Sequence, residues 1–115
     1  MSAIEKLKAA TSALAGIPVK IESEALGEVW VKPAISCAKA NEIQNLKHEK
    51  GLVHGLALEV IYRAQDKDGK ALFERTDLTT IMQEIDADIL SGIYNDMKVA
   101  IYEGKSTAAM SSTSS

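Results

Sequence analysis

The chain is expected to fold as an α+β domain, mainly α-helical, with an N-terminal β-hairpin followed by about four helices. Three observations carry that expectation. Residues Val19 to Glu24 alternate apolar or small side chains with charged ones, and Glu28 to Lys32 form a β-branched and aromatic run that Pro33 closes. From Ser36 onward the apolar residues recur at spacings of three and four, the period of a helix with one buried face. Capping residues and isolated glycines divide that helical half into segments.

A chain of 115 residues, 46% apolar and 25% charged, has the length and composition of one ordinary domain whose core needs no disulfide or metal. At its start Ile4, Leu7, Ala10, Thr11 and Leu14 fall at helical spacing until Gly16-Ile17-Pro18, so residues 1–16 read as a weak N-terminal helix or arm. The globular domain spans 17–102. Its hairpin covers 18–32, with Val19, Ile21 and Ser23 on one face, Lys20, Glu22 and Glu24 on the other, and a turn through Ala25-Leu26-Gly27.

Ser36 caps a helix over about 36–48 that carries Ala40, Ile43, Leu46 and Lys47 along one side and stops at Gly51. Val53, Leu56, Ala57, Val60, Ile61 and Ala64 follow the amphipathic rule more cleanly than that helix does, which predicts the central buried helix over 52–65. Asp66-Lys67-Asp68-Gly69-Lys70 reads as a tight turn with positive φ at Gly69, after which Leu72 and Phe73 return to the core. Thr76 or Asp77 caps a helix over 77–85 with Leu78, Ile81, Met82 and Ile85. Asp86 caps the strongest amphipathic segment, 86–102, with Ile89, Leu90, Ile93, Tyr94, Met97 and Ile101. Residues 103–115 are rich in Ser and Thr without apolar periodicity, and a disordered tail is expected there.

The same residues exclude several function classes. A net charge of -3 with 13 scattered Lys and Arg argues against nucleic acid as a partner. No apolar run reaches the ~18 residues needed to span a bilayer, and the start has no signal-peptide core, so a cytoplasmic protein is expected. Cys37 is the single cysteine, which rules out an intrachain disulfide, and it reads as a small buried apolar residue. An EF-hand register with Gly69 at the sixth position puts Ala64 first and Arg75 twelfth, where carboxylates are required. His48 and His54 lack zinc spacing, no Gly-x-Ser-x-Gly elbow occurs, and the glycines are too isolated to cradle phosphate. The expectation is a protein-binding factor with no cofactor and no metal, not an enzyme. Trp30 on the outer strand face, Tyr62 beside the main stripe, and Gly55 and Gly92 inside the two best helical patterns are the candidate partner contacts.

The order of features is more specific than any one of them. A Val-Trp-Val strand ends in Lys-Pro, a capped helix follows, then Leu-Ala-Leu-Glu-Val-Ile-Tyr-Arg-Ala-Gln-Asp-Lys-Asp-Gly-Lys-Ala-Leu-Phe, a helix of the Asp77-Leu78 type, and a final amphipathic helix. Over roughly residues 17–101 this pattern resembles the tail assembly chaperones of long-tailed, lambda-like bacteriophages. The resemblance implies a homo-oligomeric protein of the host cytoplasm that coats the tape-measure protein, keeps it soluble, helps recruit tail-tube protein, and is absent from the mature virion. The other reading is a structural minor tail or head-to-tail connector protein retained in the virion. Such families are also read through a programmed frameshift. Glu103-Gly104-Lys105 can be encoded GAG-GGA-AAG, which contains a slippery heptamer and makes Gly104 and Lys105 the candidate slip position. The chain departs from the family pattern in its Ser2–Leu14 segment and its aromatic content of 4%, and no functional residue is carried over.

Overall fold

A computed structural model of the chain describes residues 2–113, with side chains through Lys105. Among the described residues there are five helices and one three-stranded antiparallel sheet, in the order α1 (Ala3–Ala15), β1 (Lys20–Ser23), β2 (Gly27–Val31), α2 (Cys37–Lys50), α3 (Leu52–Arg63), β3 (Ala64–Gln65), α4 (Asp77–Glu84) and α5 (Ala87–Thr113). The α+β, mainly helical class holds.

The hairpin forms because alternation gives it one apolar face. Ile21 stands opposite Val29 and Lys20 opposite Trp30, so Val19, Ile21, Val29 and Val31 are buried together while the charged side chains stay outside. The Ser23 hydroxyl accepts a hydrogen bond from the Leu26 N–H at 3.1 Å, and Gly27 takes a φ of 77° that a side chain would resist. β3 was not expected. The helix predicted over 52–65 ends at Arg63, because Ala64 and Gln65 turn extended to pair with Val31 and Trp30, filling the open edge of β2. The Asp66 carboxylate accepts from the N–H groups of Asp68 (2.8 Å) and Lys70 (3.0 Å), and Gly69 has a φ of 84°, as the turn reading requires. Phe73 packs on the core, but Leu72 is exposed.

Ser36 caps α2 by accepting from the Lys39 N–H at 3.2 Å, and Gly51, at a φ of 107°, ends α2 and starts α3. α3 is the centre of the fold. Residues Gly55 to Ile61 are all buried, since α2, α4 and α5 pack on the helix and the apolar face of the sheet joins the same core. A helix covered on several sides needs apolar or small residues beyond one stripe, and Leu58, outside the predicted stripe, is fully buried. Neither predicted cap of α4 operates: Thr76 makes no side-chain cap bond, and the Asp77 carboxylate instead accepts from the Glu74 N–H. Asp86 does cap α5, accepting from Asp88 and Ile89. α5 presents Leu90, Ile93, Met97 and Ile101 to the core and continues through Thr113, past the expected end at 102 and through most of the tail expected to be disordered. No proline interrupts it, and Ala108-Ala109-Met110 are good helix formers. Residues 114–115 of that tail lie outside the described residues.

α1 differs from the other helices. Ser2 caps it through the Glu5 N–H, yet none of its residues is buried. The segment read as a weak helix or arm is helical over 13 residues.

Candidate functional site

One polar cluster is internal and joins three elements. Glu59 and Arg63, one turn apart on α3, are both buried, and the Arg63 Nε donates to Glu59 Oε2 at 2.9 Å. Lys98 reaches the same oxygen from α5 at 2.8 Å, and Arg63 donates onward to the Lys32 carbonyl at 2.8 Å. Burial pushes the Glu59 carboxyl up, but the ion pairs with Lys98 and Arg63 outweigh it and hold the group below its ordinary range. Every partner here is satisfied, so the cluster ties α3 to α5 and to the end of β2 rather than presenting reactive groups. The sequence held one signal for it: a Glu and an Arg at helical i,i+4 spacing in the most apolar segment of the chain.

The predicted contact residues are not brought together. Gly55 is an internal packing position and not a partner contact, because a Cβ there would overlap Lys47 Cγ of α2 and lie 3.0 Å from the Ile43 carbonyl oxygen. Trp30 lies half-buried on the outer sheet face, its Nε1 donating to Glu28 at 2.9 Å with the Lys20 ammonium 6.0 Å from the ring. Tyr62 sits where α3 meets α2, under the Lys39 ammonium at 5.1 Å. Burial and then the neighbouring Glu42 carboxylate raise its hydroxyl pKa. Gly104 packs toward Val19 and Ile17, and Lys105 is exposed. Cys37 is exposed at the first turn of α2, not buried, because the cap at Ser36 turns that end of the helix toward solvent. Among the described residues no group of three His, Cys, Asp or Glu could hold a metal, and no helix is long and apolar enough to cross a membrane.

Gly92 is the exception, since among the described residues nothing lies within 4 Å of where its Cβ would be. It borders a hollow of about 550 Å³ between the hairpin turn and the start of α5, together with Glu24, Asp88 and Asp96. That hollow shares Ala25, Ile89 and Ile93 with a neighbouring cleft of about 400 Å³ floored by Val60, Ile81 and Leu90 and walled by Leu26, Phe73 and Ile85. Leu26, Ile85 and Ile89 are between 41% and 50% exposed, so the walls are open to a partner. The joined surface is aliphatic inside, and its charged lining is wholly acidic: Glu24, Asp77, Asp88 and Asp96, with no Lys or Arg. Helical periodicity assigned Ile85 and Ile89 to the buried stripes of their helices and could not reveal the cleft, because it forms only where the hairpin turn, α4 and α5 converge and leave those two side chains partly exposed.

No family model, curated protein or solved structure matches the chain significantly.

Proposed function

We propose that the chain is a tail assembly chaperone of the long-tailed bacteriophage kind. It binds apolar helical stretches of a tape-measure protein in the host cytoplasm, keeps them soluble while tail-tube protein is recruited, and is left out of the mature virion. The observation that supports this reading is the open aliphatic cleft between the hairpin turn, α4 and α5. A groove with apolar walls and a charged rim suits an amphipathic helix, which presents anchors at i, i+3, i+4 and i+7 to the floor and polar residues to the rim. A long helical protein awaiting its tube offers such stretches repeatedly. Many copies of a small acidic chain, bound side by side, would cover them reversibly.

The test is co-expression with the tape-measure protein encoded by the same genome, measuring how much of it stays soluble. The native chain is expected to raise that fraction and to co-purify with it, and Ile89→Asp, which puts a charge on the cleft wall, is expected to abolish both. Equal protection by Ile89→Asp would overturn the assignment of the cleft. Stoichiometric recovery of the chain from purified virions would favour a retained minor tail or connector protein instead.

A further inference from the structure

Among the described residues two surfaces lack partners, and they match. α1 carries Ile4, Leu7 and Leu14 along one side, with Ile4 60% and Leu7 64% exposed and Leu14 half-buried near the root, and none of its residues is buried. At 100° per residue these three fall within one narrow stripe. Lys8 follows Ile4 by one turn and is the charged residue nearest that stripe, while Glu5 lies on the opposite side. The cleft offers the complement: an aliphatic floor and an acidic lining without a single base.

The arm does not fill the cleft of its own chain, whose described lining includes no residue of α1. The root of α1 is fixed beside Gly104 of α5, where Ile17 and Val19 lie 3.7 Å and 3.5 Å from a Cβ placed on that residue. Ile89, at the cleft, is 15 residues back along that helix, about 22 Å at the rise of an α-helix. Leu7 precedes Gly16 by nine residues, so as helix it reaches only about 14 Å from the root.

We propose that the apolar face of α1 seats in the cleft of a second copy of this chain, with Lys8 against the acidic rim. This inference rests on reading the cleft as a seat for an amphipathic helix and deepens it. A neighbour's arm covers the cleft until the partner helix displaces it. The contact joins unlike patches, so copies associate arm into cleft.

Sedimentation velocity of the full chain over a concentration series tests this. The native chain should associate with rising concentration, and Leu7→Asp or Ile89→Asp should each weaken association by at least about tenfold, the loss expected when a buried aliphatic anchor becomes charged. Lys8→Glu should weaken it too. Both apolar sites are exposed in the single chain, so circular dichroism should show each variant folded. The decisive arm is an equimolar mixture of Leu7→Asp with Ile89→Asp: every mixed pair retains one sound arm and one sound cleft, so a heterodimer should form where neither variant self-associates. A mixture that stays monomeric, or a native chain monomeric at all concentrations, overturns the proposal. Solubilisation of the tape-measure protein is read separately. If Ile89→Asp still loses it while the native chain is monomeric, only the arm contact fails; if association behaves as expected but Ile89→Asp still protects, only the chaperone reading fails.

Discussion

Replacing Glu59 by Gln keeps the size and one acceptor but removes the charge that balances two cations. Arg63 is as buried as Glu59, with side-chain exposures of 8% and 7%, so the substitution strands a guanidinium whose remaining partner is the Lys32 carbonyl. Breaking a buried pair from one side costs about 3 kcal/mol or more. Lys98 is 41% exposed and hydrated, so its share is smaller and screened, about 0.5 kcal/mol. A loss of about 3 kcal/mol in a domain this size should lower the melting temperature by about 10 °C. Urea unfolding followed by circular dichroism should show the midpoint falling with an unchanged slope, since the exposed surface is the same. The pH dependence follows from the sign of the shift. The folded carboxyl is held below its ordinary value of 4.5, so its contribution is fully present above that value and is lost as pH falls through the folded pKa. The gap between native and Glu59→Gln should therefore be constant from neutral pH down to about 5 and shrink below it. A variant within about 0.5 kcal/mol of the native chain at neutral pH, or a gap that widens in acid, would refute the account of the cluster.

Other outcomes follow from single positions. Gly55→Val should destabilise by about 2 kcal/mol or more in thermal melts, because its branched side chain meets both Lys47 and the Ile43 carbonyl where α2 and α3 touch. Gly92→Ala should do the reverse, raising stability by up to about 1 kcal/mol, since the new methyl meets nothing and the helix gains propensity. Cys37 should react with a thiol reagent in the native protein as fast as in the denatured one, because it is exposed.

The elements legible in the sequence were those whose signal is local. Ser36 and Asp86 could be recognised as caps because a short polar side chain beside its own helix needs nothing from the rest of the fold. Gly69 and Asp66 fixed their turn for the same reason. Elements whose state depends on a distant partner were not legible. Ala64 and Gln65 continue a helical pattern in sequence and become strand only because β2 offers an edge. Glu59 looks like a misplaced charge until Lys98, 39 residues away, arrives beside it. The cleft was invisible because Leu26, Ile85 and Ile89 are unremarkable alone and become a surface only when three elements converge. Gly55 and Gly92 carried the same sequence signal and proved opposite, one filled by a neighbouring helix and the other open.

The switch from helix to strand at Ala64 bears on how the chain assembles. Val31 and Ala64 are 33 residues apart, and the Lys32 N–H bonds to the Arg63 carbonyl at 2.9 Å on the next rung. The third strand is therefore the last turn of the central helix pulled straight, and it cannot pair before that helix is docked. Closing this long loop is a nonlocal step, slower than forming either the hairpin or the α2–α3 pair. Once closed, it leaves no hairpin that can peel away by itself, and the sheet and the helices should lose their amide protection together in a single opening event.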